Sequence, residues 1–162
     1  ILRGKEFITI TFISVSKYIH PATLEAAMQV ASNLLPDDYK EVKEGHGHDP
    51  LAALVVGYQN CDSAYFVVPN GDIAGMAGVH SNGQIWMLCT PAIYDYPHTF
   101  AREALRYVKR REEKLLWNIV DERNKVHLKL LKFLGFKFLR RLKHGPNNLS
   151  FIEFCRVRSS SR

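Results

Sequence analysis

The chain has 162 residues, 46% of them hydrophobic and 23% charged, and a formal net charge of +6. That is enough chain for one domain with a sizeable core, and no apolar run reaches the length of a membrane span. Three cysteines, Cys61, Cys89 and Cys155, are an odd number without tight spacing, which argues against a disulfide framework and makes a reducing cytosol the simplest setting.

The first fifteen residues are apolar but alternate with Thr and Ser (Phe7, Thr9, Thr11, Ser14). The pattern predicts a first strand over 7–15 rather than a signal peptide, which needs an unbroken apolar stretch and a small-residue cleavage site. The sequence starts at Ile1 rather than Met, so an initiator segment is expected upstream. His20-Pro21 opens a helix, with proline tolerated in its first turn. Leu24, Ala27, Met28, Ala31, Leu34 and Leu35 recur at helical spacing as its apolar stripe, and Pro36 stops it. Asp49-Pro50 starts a second helix, a capping carboxylate followed by proline, with Leu51, Leu54, Val55 and Tyr58 inward.

An antiparallel meander follows over 64–68, 73–80 and 84–89. Its turns are Pro69-Asn70-Gly71-Asp72 and Ser81-Asn82-Gly83, where Asn-Gly supplies the positive φ angles a tight hairpin needs. A long helix over 99–114 places Ala101, Leu105 and Val108 inward and Arg102, Arg106, Lys109, Arg110 and Glu113 outward. Residues 115–120 form a nearly continuous apolar strand, as expected where both faces are covered. A helix over 125–134 buries Val126, Leu130 and Leu134 and ends at Gly135. Strands 136–142 and 149–157 close the sheet as a hairpin around His144-Gly145-Pro146-Asn147-Asn148. Cys89 and Cys155 fall in strands, where free cysteine serves as a small hydrophobe.

Charge is unevenly distributed. Before Phe100 the basic residues are Arg3, Lys5, Lys17, Lys40 and Lys43, against ten acids; the remainder has seventeen basic residues and six acids. A basic half points to an anionic partner, whether cofactor phosphates, nucleic acid or an acidic protein face; on charge alone, solvated helix faces are the simpler explanation. Arg140, Arg141 and Lys143 interleave with Phe136 and Phe138 as in a nucleic-acid surface, but those aromatics alternate like core positions and no nucleic-acid-binding fingerprint is present. His46-Gly47-His48-Asp49, with His80, has metal-ligand chemistry without a closed ligand set, so it reads as loop and no metal is expected. Cys89 as a nucleophile has no histidine beside it in sequence; His98 is the candidate spatial partner.

The element order β-α-α-β-β-β-α-β-α-β-β, with strand–helix–strand crossovers after a meander, predicts an α/β domain over 1–158 and a disordered tail over 159–162. Its central sheet is mixed, with six or seven strands and about four helices. This order resembles the GNAT N-acetyltransferase (acyl-CoA N-acyltransferase-like) fold element for element. The closing Asn124, Leu130, Leu134-Gly135-Phe136 resembles the ending of that family, in which an Asn opens the last helix and Leu-Gly-Phe leads into the next strand. Gly75-Met76-Ala77-Gly78-Val79, 84–90, Leu116-Trp117-Asn118-Ile119-Val120-Asp121, Arg123-Asn124 and His127 are similar, more closely, to the GNAT-like internal virion or virion-assembly proteins of T7-like tailed bacteriophages.

The resemblance implies acetyl-CoA as the cofactor the fold takes. Its diphosphate would lie on backbone amides of a glycine loop before the long helix, and its pantetheine arm between strands 84–89 and 115–120. Arg102 and Arg106, with Lys109 and Arg110, would meet the phosphates. Asn124 would cross the cleft, and the amide near Leu88 or Cys89 would polarise the thioester. Asp121, Glu122 or His127 would act as base, although the residues themselves favour His127 as a hydrogen-bonding residue of a packed helix. Two departures stand out. The stretch 90–100 has no glycine, two prolines without amide donors and an acid that repels phosphate. The family's acid, a tyrosine seven residues after the helix-opening Asn, is replaced by Leu131. The sequence therefore reads as a degenerate acetyltransferase that requires no cofactor. It would act through other virion proteins in assembly or inside the particle, in the host cytoplasm and away from membranes. The alternatives are an active N-acetyltransferase and a nucleic-acid-contacting virion protein.

Overall fold

The computed structural model describes residues 16–159; the strand expected over 7–15 and the last three residues of the tail lie outside them. Strand β1 (Ile19–Pro21) pairs along β2 (Asp62–Val67), which pairs with β3 (Ile73–Val79) and β4 (Ile85–Cys89) in an antiparallel sheet of order β1-β2-β3-β4. A second sheet, β5-β7-β6, joins β5 (Leu115–Asp121), β7 (Leu149–Val157) and β6 (Lys137–His144), also antiparallel. The sheets meet through one parallel bridge, Gln84 to Trp117. The mixed sheet expected from the crossovers thus has seven described strands, with its parallel character confined to that seam.

Helices cover both faces: α1 (Leu24–Ser32), α2 (Pro36–Lys40) running into a π-helical turn (Glu41–Gly45), α3 (Pro50–Asn60), α4 (Ala92–Asp95), α5 (Pro97–Arg110) and α6 (Lys125–Phe133). Six replace the expected four because Pro36 begins a helix as well as ending one, at the first-turn position where its missing N–H costs nothing, and because 92–95 coils into a turn of its own.

Local signals explain most boundaries. Asp49 Oδ2 accepts from Ala52 N at 3.0 Å, and Pro50 follows it. Gly71, Gly83 and Gly135 adopt φ of 91°, 88° and 86°. His20-Pro21 does not open a helix: it is edge strand, and Thr23, whose hydroxyl accepts from Ala26 N at 3.1 Å, is the cap. The expected stripe of α1 holds at Ala27 and Leu35 but is otherwise rotated, since Leu24 and Met28 are exposed while Ala26 and Val30 are buried. On α3, Leu54 is buried but Leu51 and Tyr58 face out. On α5 the inward set is Phe100, Glu103, Ala104, Tyr107 and Val108, with Ala101 and Leu105 only half-buried. Strand β5 is not covered on both faces along its length; Leu115 is exposed and Trp117–Ile119 are half-buried.

Two apolar layers result. Ala27, Val30, Val42, Leu54, Met76 and Leu88 pack under α1 and α3. The other layer lies under α5 and α6 and includes Phe66, Phe100, Tyr107, Val120, Leu134 and Phe154. In the first of these layers the indole of Trp86 is clamped by two glycines: a Cβ on either Gly57 or Gly78 would stand 2.6 Å from Trp86 Cζ2. Gly78→Ala is expected to cost about 1–3 kcal/mol through overpacking, read as a lowered urea midpoint with unchanged slope.

Candidate functional site

Strands β4 and β5 touch at the Gln84–Trp117 bridge and diverge toward Cys89 and Asp121. Near the bridge, Asn118 zips the gap: its Nδ2 donates to Ile85 O at 2.7 Å, and its Oδ1 accepts from Ile119 N at 2.7 Å and from Gln84 Nε2 at 3.3 Å. Beyond it lies a cavity of about 490 Å³, walled by Val42, Trp86 and Leu88 toward one face and by Tyr107, Val108 and Leu131 toward the other.

The phase of the β3–β4 ladder decides which backbone groups face this cavity. Thr90 N donates to Ala74 O and His80 N to Gln84 O, each at 2.9 Å. Antiparallel pairs alternate, so Trp86 and Leu88 turn their amides to β3, while Met87 and Cys89 turn theirs to the gap. The Leu88 amide expected to polarise a thioester is therefore part of the ladder. The Cys89 amide faces the gap but already donates to Asp38 Oδ2 at 2.8 Å, and Cys89 O accepts from Leu35 N at 2.9 Å. The Met87 amide faces the cavity from β4 with no partner among the described residues.

The diverging end is closed by α2. Asp38 and Glu41, three residues apart, share a helix face and each reaches one strand: Asp38 the Cys89 amide of β4, Glu41 Oε1 the Asp121 amide of β5 at 2.8 Å. Asn124 ties them together, donating from Nδ2 to Asp38 Oδ1 at 2.8 Å and to Glu41 Oε1 at 3.5 Å, while its Oδ1 caps α6 through His127 N at 3.3 Å. The helix-capping role expected of Asn124 is present, but its amide serves two buried carboxyls of this chain. Burial pushes the Glu41 carboxyl up to about 8, opposed by the Asp121 amide and assisted by the charges of Asp38 and Asp121.

The remaining candidates are scattered. Burial tends to raise the Asp121 carboxyl, but hydrogen bonds and charge from Arg123, 2.8 Å away, hold it below the usual range. It is buried and does not line the cavity, so it is poorly placed as a base. Glu122 pairs with Arg141 at 2.7 Å, outside the cavity. His127 does line the cavity; its Nε2 is buried without a hydrogen-bond partner, 3.4 Å from Asp38 Oδ1. Arg102 and Arg106 lie outside the cavity and face the buried Glu103 at 3.9 and 3.4 Å. Cys89 is fully buried and His98 exposed, so the histidine near Cys89 is His127.

His46 is hydrogen-bonded to His144 at 3.0 Å and Asp49 is engaged as a cap, so the loop histidines do not converge on a metal. Burial, then His144 and His48, push the His46 imidazole down to about 4. Arg140, paired with Glu153, and Arg141 stay largely exposed, whereas Phe136 is buried in the core, so the aromatics of that pattern are core positions.

Part of the backbone expected to meet the diphosphate of acetyl-CoA is already bonded. The amides of 90–94 are internally satisfied: Thr90 N by Ala74 O, Ala92 N by Thr90 Oγ1 at 3.3 Å, Ile93 N by Thr90 O at 3.3 Å and Tyr94 N by Pro91 O at 3.0 Å. They form α4 instead of a nest for a diphosphate, and Pro97 withholds another amide from the first turn of α5. Asp38 and Glu41 escaped the sequence reading because an acid after Pro36 looks like an ordinary first helical turn; no local signal marks them as buried.

No protein-family model and no curated protein sequence matches the chain. Solved structures do. An acetyltransferase of the GNAT family from Bacillus anthracis is 11% identical over 86% of this chain and 93% of its own, with a TM-score of 0.64. A spermidine N-acetyltransferase chimera from Vibrio cholerae is 7% identical over 86% and 93%, TM-score 0.64. A Salmonella typhimurium chain solved with its cofactor acetyl-CoA is 13% identical over 89% and 95%, TM-score 0.61. The chain has the GNAT fold. Identities this low carry the fold and nothing finer. Among the described residues, no helix is long and apolar enough to cross a membrane.

Proposed function

We propose that this GNAT-fold chain does not turn over acetyl-CoA and works by protein contact, as a virion-assembly or virion-associated protein of a tailed bacteriophage. The observation that carries the loss of catalysis is Asp38. Its carboxyl takes the Cys89 amide and the Asn124 side chain, two groups a pantetheine arm would need. The internally bonded α4 in place of a phosphate nest, and Leu131 in place of a tyrosine, support the same reading. The phage context rests on the sequence resemblance.

Calorimetric titration with acetyl-CoA and with CoA is expected to be flat to about 1 mM, an affinity no better than about −4 kcal/mol. Mass spectrometry of purified particles is expected to find the chain. Micromolar binding followed by acetylation of any amine would overturn the loss of catalysis; absence from the particles would overturn the virion role.

A second reading, an active acyltransferase, is favoured by the open cavity and the free Met87 amide. Glu41 would be its proton acceptor and the buried Tyr107 hydroxyl, which has no partner among the described residues, its proton donor. The same titration separates the two. For the nucleic-acid reading, a gel shift that weakens steeply with salt is the discriminating result.

A further inference from the structure

The buried Asp38–Asn124 network leaves one polar atom unexplained. His127 is 8% exposed, and its Nε2 has no hydrogen-bond partner. It stands 3.4 Å from Asp38 Oδ1 but is not aligned to donate to it. A buried imidazole nitrogen beside a carboxyl, yet not aimed at it, suits two donors directed at a common third point. Cys89 Sγ belongs to the same group: the ligand atoms of Asp38, Cys89 and His127 all lie within 4.8 Å of one another, and all three residues are buried.

We propose that Asp38, Cys89 and His127 form a three-ligand zinc site whose open position faces the cavity between β4 and β5. Zinc bonds of about 2.0–2.1 Å to nitrogen and oxygen give a tetrahedral edge of about 3.3 Å, which the His127–Asp38 separation of 3.4 Å matches. A zinc–sulfur bond of about 2.3 Å gives edges of about 3.6 Å, so from a separation of at most 4.8 Å the thiol needs to close by about 1.2 Å at most. One thiolate and one carboxylate neutralise a dication, so the filled site buries no net charge.

Asn124 supplies outer support: it donates to Asp38 Oδ1 and caps the backbone of His127, fixing two ligands relative to each other. Of the three ligands His127 lines the cavity, and the fourth position on its side is left for a water. Three protein ligands and an open fourth position is the arrangement of a zinc that acts on a water or carbonyl, rather than of a closed structural site. Zinc binding here requires nothing of acetyl-CoA.

The test uses the full chain stripped with a chelator and dialysed. Zinc is titrated against a chromophoric competitor, and cobalt is used as the spectroscopic probe. One metal per chain, a thiolate-to-cobalt absorption band and a raised melting temperature are expected. Cys89→Ser, nearly isosteric, should remove the band and weaken zinc by at least about 100-fold; His127→Gln should weaken it comparably. Cys61→Ser, Cys155→Ser and His144→Gln should change nothing. No uptake at micromolar free zinc would overturn the site. So would uptake that survives both Cys89→Ser and His127→Gln, or that is lost with His144→Gln. If Cys89→Ser does not fold, as judged by circular dichroism, His127→Gln and the cobalt band of the unmodified chain decide between these outcomes.

Discussion

Asp38→Ala is expected to destabilise the chain by about 4 kcal/mol, because two buried donors lose their acceptor at about 1–3 kcal/mol each. The donors are the Cys89 amide and the Asn124 Nδ2, both 2.8 Å from the carboxyl. Neither has an adequate substitute: the Cys89 amide faces the gap between the sheets, and Asn124 retains only the 3.5 Å contact to Glu41. In a chain of this size the loss corresponds to about 8–16 °C in melting temperature. Asp38→Asn keeps one acceptor oxygen but turns an amide toward one of the donors, so about half the loss is expected. Chemical denaturation of both variants without added metal checks the order. A loss below about 1 kcal/mol for alanine would mean that water enters the gap and replaces the carboxyl. The plug would then be optional, and the argument that it displaces a pantetheine arm would fall with it.

The parts of the fold that were legible in the sequence are those fixed by neighbours in the chain. Asp49-Pro50 at the head of α3, Asn70-Gly71 in the β2–β3 turn, and Asn124 and Gly135 at the two ends of α6 each act within a few residues. The β7 boundaries follow from the same kind of local alternation.

What was not legible depends on distant partners. Asp38 finds Cys89 and Asn124 across 51 and 86 positions, Glu41 finds Asp121 across 80, and His46 finds His144 across 98. An acid three residues before another acid on a short helix reads as solvated unless the strands it will meet are known. The rotated face of α1 has the same origin. Its large apolar residues, Leu24 and Met28, face out, and its small ones, Ala26 and Ala27, face in. Hydrophobicity alone favours the larger set, whereas close approach of the helix to the sheet requires the smaller one. Which β4 amides face the cavity depends on the phase of the β3–β4 hydrogen bonds, which side-chain pattern does not encode; Met87 N–H faces it and Leu88 N–H does not.

Glu41→Gln should stabilise the chain by about 4 kcal/mol at pH 8 but by only about 1 kcal/mol at pH 5. The Glu41 carboxyl is raised from 4.5 to about 8, chiefly by burial. Between those values the folded chain holds a proton that the unfolded chain has released. Stability from this residue is therefore complete below about pH 4.5 and declines as pH rises, until the folded carboxyl ionises near 8. Glutamine mimics the protonated side chain, keeping an oxygen for the Asp121 amide, and removes the decline. His46 acts in the opposite sense: pushed down from 6.5 to about 4, chiefly by burial, it weakens the fold as pH falls below 6.5. The two slopes oppose each other between about pH 4.5 and 6.5, so the joint contribution of Glu41 and His46 should be nearly flat there and fall between about pH 6.5 and 8. In Glu41→Gln the His46 slope is left alone, and stability should rise with pH through that same interval and then level off. Urea midpoints at pH 5, 6.5 and 8 for both proteins measure the difference, in which every other titrating group cancels. Parallel profiles would mean that Glu41 is ionised and hydrated in the folded chain, so that the junction of α2 with β5 is wet rather than sealed.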